Sequence, residues 1–579
     1  MVFKSPSWAT SVASSSIPDS IPDSIPICDF MFDEKYGRPS LARSRNPFVN
    51  GVSGEGYSAV QLQRRVDYLA RSLAQEFGWH PNRGTEWDKI IGVFSLNTID
   101  YLPLGWAVHR LSGIATLINA SSTADELAYQ LRASKSSVLF TCIPLLRTAL
   151  EAAVKCGIPR SRVCILEMPQ ELLGGLSASP EFTTVNQLIE KGSGLRELDA
   201  LEWKKGQGAK QCAYLCFSSG TSGLPAWVMI SHRNMISEVL LLKSFESHTR
   251  AADQKDVVLG LLPQGHIFGL SVFHAAVFRG ECVVVLHKFH LETLLDAIHK
   301  CKINVLYLVP PIIVSMVKNG ELLEKYDLSS VRSIITGAAP LGLETAEQLG
   351  NLQPSWSILQ AYGLTETTAV ATTTSSHDIF FGSSGSLLPL LEARLLSPNG
   401  DDIEQYDIPG ELLLRGPTIV LGYLNNDAAN KEAFLDGWLR TGDEAVLKKS
   451  PKGEDHVFIV DRIKELIKVK GFQVAPAELE AHLLTHPHVA DTAVIAVADD
   501  AAGEVPKAYV VKANNAPADD RILIRSIQKH VSDQKAHYKW LKGGVAFIDA
   551  IPKTASGKIL RRHLRDRDRN MMRKSSAKL

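Results

Sequence analysis

The sequence predicts an α/β protein: a large, multi-sheet N-terminal domain followed by a smaller α+β domain. Three observations lead there. From Ser58 onward, capped helical patterns alternate with short β-rich runs, which is the pattern of βαβ units and parallel sheets. The 579 residues are too many for one hydrophobic core, so two or more domains are expected. Charge also divides unevenly along a chain that is neutral overall, with 62 Lys or Arg and 62 Asp or Glu. From residue 461 onward there are 22 basic and 14 acidic side chains, against 40 and 48 before it. Lobes of opposite charge favour closure over an anionic ligand held between them.

Residues 1–50 read as an extended leader, because Pro18-Asp-Ser-Ile-Pro22-Asp-Ser-Ile-Pro26 removes backbone donors and fixes φ at each proline. The N-terminal domain, 51–460, has strand signals at 90–95, 137–141, 212–217, 303–309, 333–336 and 356–360. Polar residues 192–210, with Gly at 192, 194, 206 and 208, form a connecting loop before the strand at 212. The second domain, 461–565, rests on signals at 458–469, 476–485, 494–497, 508–512, 521–534 and 545–549. A solvated tail, 566–579, follows.

Zero net charge removes the electrostatic argument for nucleic acid or an anionic membrane as the main partner, so the ligand is expected to be small. In the basic stretch from Arg561 to Lys574, Asp566 and Asp568 interrupt the arginines and no aromatic alternates with them, unlike a nucleic-acid patch. No apolar run approaches the roughly 18 residues of a membrane helix, so no membrane insertion is expected. The Ser-rich start lacks the apolar centre of a signal peptide. Eight sparse cysteines, including Cys212 and Cys216 on one strand, read as reduced thiols. Ala577-Lys578-Leu579 is a conservative variant of the Ser-Lys-Leu address, which makes the peroxisome the expected location and its import receptor an expected partner.

The chemistry is expected at three strand ends. Cys216-Phe-Ser218-Ser219-Gly220-Thr221-Ser222-Gly223-Leu-Pro225 is a hydroxyl and glycine loop leaving a strand. Glycines let backbone approach a polyphosphate, and hydroxyls donate to its oxygens. It is not a Walker A loop, because the closing Gly-Lys-Ser/Thr is missing. Two further strands run into turns of similar character, Thr336-Gly337-Ala338-Ala339-Pro340 and Gln360-Ala361-Tyr362-Gly363-Leu364-Thr365-Glu366. Loops at the carboxyl ends of strands in an open α/β sheet line one crevice, so the three together describe a nucleotide pocket.

These residues resemble the adenylate-forming superfamily of acyl-CoA synthetases, adenylation domains and luciferases, and most closely its 4-coumarate:CoA ligase-like branch. Seven motifs stand in the family's order: 218–225, Tyr362-Gly-Leu-Thr-Glu-Thr367, Gly410-Glu411, Gly437-Trp-Leu-Arg-Thr-Gly-Asp443, Asp461-Arg-Ile-Lys-Glu-Leu-Ile-Lys468, Gly471-Phe-Gln-Val-Ala-Pro-Ala-Glu478 and Pro552-Lys-Thr-Ala-Ser-Gly-Lys558.

The resemblance implies an ATP-dependent acyl-CoA ligase acting on a carboxylic acid of aryl, medium-chain or branched type. ATP, Mg²⁺ and CoA are the implied cofactors and co-substrates. Glu366 would hold Mg²⁺, and Thr365 would donate to the α-phosphate. Gly337, Ala338, Ala339, Gln360, Ala361 and Tyr362 would surround the adenine, and Asp443, backed by Arg462, would accept the ribose hydroxyls. His266 would sit beside the acyl carboxylate, with Phe268, Gly269, Thr336, Ala361 and Gly363 as its pocket neighbours. Alone among apolar residues, His266 reads as a satisfied core histidine; its place in the motif order assigns it to the site. Lys558 would offset the repulsion between carboxylate and α-phosphate. The smaller domain would be mobile about a hinge at Asp461, withdrawing Lys558 and bringing in Lys468 and Gln473 for the second reaction, with Gly471 allowing close backbone approach.

One departure stands out. Ala226 and Trp227 follow Pro225 where the family usually has lysine and a small residue, so slower pyrophosphate departure or weaker ATP binding is expected. Two rival readings remain: an acyl-AMP ligase that loads a carrier-protein phosphopantetheine, and a catalytically idle nucleotide-binding pseudoenzyme.

Overall fold

Four sheets built around separate helical layers organise the computed structural model, which describes residues 2–576 except 19, 177–180, 219–225, 252, 500, 555 and 556, and omits the side chains of 12–16 and 572–576. The first sheet runs Gly422–Tyr423, Ala226–Ser231, Cys212–Ser218, Ile114–Ile118, Ile90–Phe94, Val138–Thr141, Val163–Ile165. Its five strands from Cys212–Ser218 outward are parallel, and the two at the other edge are antiparallel. The second runs Ser386–Leu387, Thr372–Thr373, Ser357–Tyr362, Ser333–Thr336, Val305–Leu308, Val257–Gly260, Cys282–Val285, Phe48–Asn50. Parallel strands of this kind are buried on both faces and read as continuous apolar runs, as in Ile90–Phe94, buried at all five positions.

Helices cover both parallel sheets. Ala59–Phe77 starts with a capping box between Ser58 and Gln61 and ends at Gly78 in the left-handed region. The helices Tyr101–His109 and Ile267–Phe278 are predominantly apolar, and every residue of both is buried.

The third sheet is antiparallel and distorted, centred on Glu392–Leu396, Gly410–Arg415 and Trp438–Lys449, with Asp455–Arg462 paired to the last. The fourth contains Ile467–Val469, Phe472–Val474, Gly503–Lys512, Val489–Asp499 and Val545–Phe547. It has its own core, from Ile467 to Leu564, including Leu479, Tyr509, Leu523 and Ile527. The α+β pattern expected beyond 461 is therefore a packing unit, here called the lid. The expected run 458–469 is two strands, broken by the turn at 463–466.

Both ends differ from expectation. The leader is not extended: Ser7–Ser16 and Ile27–Phe32 are helices, Phe3–Lys4 pairs with Glu392–Leu396, and Phe48–Asn50 closes an edge of the second sheet. The apolar Ile27–Phe32 drives this, burying Ile27, Cys28, Phe30 and Met31, with Phe30 stacked on Phe278 at 4.4 Å. At the other end, the expected solvated tail continues the helix Arg561–Ser576. Asp568 is buried there, accepting from Tyr509 Oη at 3.0 Å and pairing with Lys507. The expected loop at 192–210 is framed by the helices Val185–Ser193 and Gln207–Lys210.

Among the described residues no helix is long and apolar enough to cross a membrane. All eight cysteines are free thiols.

Candidate active site

Parallel register brings two of the predicted turns together: Leu308, Thr336 and Gln360 are laterally aligned, so the chain leaves neighbouring strands at one level. The strand Cys212–Ser218 contributes Ser218 from the first sheet. Ser219, Gly220, Thr221, Ser222 and Gly223 lie outside the described residues.

Ser218 Oγ donates to Glu366 Oε1 at 3.0 Å. The Tyr423 hydroxyl donates to the same oxygen at 2.8 Å. The two donors hold the carboxylate from opposite sides of the motif order. No sequence motif flagged Tyr423; it reaches the site because Gly422–Tyr423 adds to the edge of the first sheet, opposite Met229 and Val228.

Asp443 is 3 % exposed on Trp438–Lys449 and accepts from Tyr362 Oη at 2.7 Å, with Arg462 Nε 3.4 Å from its other oxygen. Burial raises its pKa, opposed by Arg462 and the tyrosine hydrogen bond. The ribose acceptor expected from the sequence thus has a hydroxyl and a guanidinium on its two oxygens.

Lys558 enters from the lid. Its turn is closed by Thr554 N donating to Lys558 O at 2.8 Å and Lys558 N donating to Thr554 Oγ1 at 3.1 Å, and Gly557 supplies φ +83°. Burial pushes the ammonium down to about 8, Arg462 pushes the same way, and Asp443, Glu366 and Glu465 oppose them. The cation therefore sits in the field of both predicted nucleotide-binding carboxylates.

His266 caps the helix Ile267–Phe278, its Nδ1 accepting from Phe268 N at 3.3 Å. That bond assigns the proton to Nε2. Burial, then the charge of Lys558, lowers its pKa to about 4, so the imidazole is neutral near pH 7 and acts as a donor. A neutral donor beside a lysine suits holding a carboxylate, not carrying its proton.

Phe268 is buried, meets Tyr307 edge-on at 6.2 Å between centroids, and lies beside Gly337, where an added Cβ would be 3.3 Å from its ring and 3.1 Å from Ala361 O. Thr336 is buried, and its Oγ1 has no hydrogen-bond partner among the described residues, as expected of a group reserved for a ligand. Ala338 has φ +68° and is exposed, while Ala339, Tyr362 and Thr365 are half-buried around the same turns. Gln360 Oε1 accepts from Leu341 N at 3.4 Å, tying the second turn to the third.

Two predicted pocket glycines have structural causes of their own. A Cβ on Gly363 would lie 1.5 Å from Ala369 O, and one on Gly269 would lie 2.5 Å from Pro263 O. Both positions are needed for backbone packing.

Other predicted residues are not brought to the cluster. Lys468 and Gln473 pair across the lid hairpin and are exposed, with Lys468 N donating to Glu504 Oε2 at 2.8 Å. Gly471 takes φ +85°, but nothing lies within 4 Å of where its Cβ would be, so the turn's conformation and not close approach selects glycine here. Asp461, at the predicted hinge, is buried and accepts from Ala477 N at 3.0 Å, capping the lid helix Pro476–Leu484. Ala577, Lys578 and Leu579 lie outside the described residues. Ala226 opens its strand opposite Ser218 and brings no cation to the site.

The residues fit a magnesium ion. Among the described residues, the two hydrogen bonds given to the Glu366 carboxylate, from Ser218 and Tyr423, both fall on Oε1. One carboxylate oxygen completed by substrate phosphates is the usual protein share of Mg²⁺ coordination at nucleotide sites.

Comparison with known proteins agrees in extent. The family described as AMP-binding enzyme matches residues 41–424, and its C-terminal domain matches 478–558. The acyl-CoA ligase easD of Emericella nidulans is 41% identical over 568 residues, covering 98% of this chain and 100% of that protein. The acyl-CoA ligase frbB of Dothideomycetidae sp. is 42% identical over 520 residues, covering 90% and 92%. Among solved structures, the anthranilate CoA ligase AuaEII in complex with anthranoyl-AMP superposes with a TM-score of 0.79 at 22% identity, covering 94% of this chain and 97% of that one, and shares the fold.

Proposed function

The chain belongs to the AMP-binding enzyme family, and from that premise we propose that it is an ATP-dependent acyl-CoA ligase. A substrate carboxylate oxygen attacks the α-phosphorus of ATP, the bond to the β-phosphate oxygen breaks, and pyrophosphate leaves the acyl-adenylate. The thiol of CoA then attacks the acyl carbon, its proton going to solvent, and AMP departs with the bonding electrons.

The reading is supported by the lid turn that carries Lys558: burial holds its ammonium down to about 8 against the pull of Asp443 and Glu366, and the same lysine helps keep His266 neutral. The lysine offsets the repulsion between two anions in the first step, and His266 Nε2 donates to the carboxylate and orients it. Asp443 and Tyr362 position the ribose and base, and Thr336 Oγ1 is a free donor for the bound substrate. Glu366 would hold Mg²⁺, which would supply charge neutralisation on the phosphates. With Ala226 at the phosphate loop, Lys558 carries a larger share of the cationic stabilisation. The second step uses the rotated lid, with Lys468 and Gln473 turned inward. Phe268 and small Ala361 are compatible with an aryl, medium-chain or branched acid.

The test is pyrophosphate release with a panel of aryl, medium-chain and dicarboxylic acids, with and without CoA. Acid-dependent release that falls about 100- to 1000-fold in Lys558→Met, with thioester formed on CoA, supports the proposal. No adenylate with any acid, or transfer to a carrier protein but not CoA, refutes it. The peroxisomal address is part of the same proposal: a fluorescent fusion ending in Ala577-Lys578-Leu579 should enter peroxisomes, and one lacking the three residues should not.

A further inference from the structure

The helix Pro310–Lys318 of the large domain meets the lid at both ends. At its start, an added Cβ on Gly557 would lie 3.4 Å from Val309 and 3.7 Å from Pro311, one residue from Lys558. At its end, Lys318 Nζ donates to Val489 O at 2.6 Å and to Ala490 O at 3.2 Å. These carbonyls open the lid strand Val489–Asp499, where the pairing with Gly503–Lys512 slips by one residue between Val489 and Asp491. The slip leaves Ala490 opposite no partner, and Lys318 supplies a donor from outside the sheet.

The contact is relayed inside the lid. Asp491 accepts from Lys553 Nζ on both oxygens, at 2.8 and 2.6 Å. Lys553 pairs with Ile559 across the turn that presents Lys558. A line of contacts thus runs from Lys318 through Val489 to Asp491, Lys553 and the Lys558 turn.

The two parts of this line respond differently to lid motion. Asp491–Lys553 lies within the lid and travels with it. Lys318 belongs to the large domain, so rotation about Asp461 takes Val489 and Ala490 away from it. A contact made in only one of two orientations shifts the balance between them by its own free energy.

We propose that Lys318 is a positioning residue for adenylate formation: it latches the start of the lid strand Val489–Asp499 so that Lys558 is held in the site, and it contributes nothing once the lid has turned for thioester formation. The proposal rests on the two-step reading above. Lys318 is not among the residues assigned to the site; its hydrogen bonds go to Val489 O and Ala490 O. Its hydrogen bonds lie near solvent, so their net worth corresponds to a roughly three- to tenfold change in the population of the closed lid.

The experiment uses the full chain as wild type, Lys318→Met and Lys318→Arg. ATP–pyrophosphate exchange reports the first step, and CoA-dependent consumption of added acyl-adenylate reports the second. Lys318→Met is expected to slow exchange about three- to tenfold, leave the second step unchanged or faster, and keep the thermal midpoint. Lys318→Arg is expected to recover exchange. Equal loss in both steps, no loss in either, or no recovery by arginine overturns the proposal. A readout that needs no acid separates this from failure of the ligase reading: in Lys318→Met the amides of Thr554, Gly557 and Lys558 should exchange hydrogen faster while those of the core strand around Tyr509 do not. Unchanged exchange in the turn overturns the latch, whatever the enzyme's substrate; an absence of adenylate in the wild type with faster exchange in the variant refutes the ligase reading and keeps the latch.

Discussion

The lysine delivered by the lid should write its own titration into the pH dependence of adenylate formation. Burial holds Lys558 at about 8 in the ligand-free protein, and the pH profile of kcat/KM reports the free enzyme's essential groups. Exchange should therefore be flat near pH 7 and fall about tenfold per pH unit above the midpoint, because only the ammonium offsets the two anions. Neighbouring charges set the direction of further shifts. Arg462 pushes the lysine down and Asp443 pulls it up, so Arg462→Gln should move the midpoint to higher pH and Asp443→Asn to lower pH. Removing one charge that acts on a largely buried ammonium changes its interaction by on the order of 1 kcal/mol, which is about one pH unit. The assay is ATP–pyrophosphate exchange at subsaturating ATP from pH 6.5 to 10 in a constant-ionic-strength buffer. Both variants lose absolute rate through weaker ribose binding, so the midpoint and not the height is the readout. A profile that stays level to pH 10, or midpoints that move the opposite way, would refute the placement of Lys558 among these groups. The lowered pKa also has a stability consequence: the unfolded chain binds the lysine proton more readily, so stability rises with pH from about 8 toward the ordinary lysine value.

Tyr423→Phe removes one of two donors to Glu366 Oε1 and should weaken apparent Mg²⁺ and ATP binding about tenfold, read from the metal dependence of exchange, whereas an unchanged dependence would detach Tyr423 from the site. Glu238 is buried, with Oε1 accepting from Val370 N at 2.8 Å, and burial raises its pKa well above the carboxylate range. A raised acid contributes stability below its unfolded pKa that is lost as pH rises, so thermal melts from pH 5 to 9 should show both Glu238→Gln and Glu238→Ala gaining on wild type with pH, with Glu238→Ala about 1 to 3 kcal/mol below Glu238→Gln throughout. Gly363→Ala forces a Cβ to 1.5 Å from Ala369 O and should lower the denaturant midpoint by the equivalent of several kcal/mol or prevent folding; a normal midpoint would show that this turn is placed wrongly.

Much of the fold is legible in the sequence because its signals are local. Period, caps and glycine punctuation mark Ile90–Phe94, Cys212–Ser218 and Ser333–Thr336 within a residue or two. The leader and the tail were not legible. Proline repeats and alternating charges describe how a segment behaves by itself, while Phe30 and Asp568 find partners hundreds and tens of residues away, in Phe278 and Tyr509.

The site divides in the same way. The resemblance carried by short motifs singled out Glu366, Asp443, Arg462 and Lys558 as candidates for nucleotide chemistry, each within a segment of ten residues or fewer. Tertiary structure alone decided that Tyr423 and Ser218 share one oxygen of Glu366, that Tyr362 occupies an oxygen of Asp443, that His266 is neutral, and that Lys318 reaches the lid. The physical reason is that composition and periodicity act through the nearest few residues, whereas hydrogen-bond geometry and desolvation depend on how sheets and domains stack in space, which no local pattern encodes.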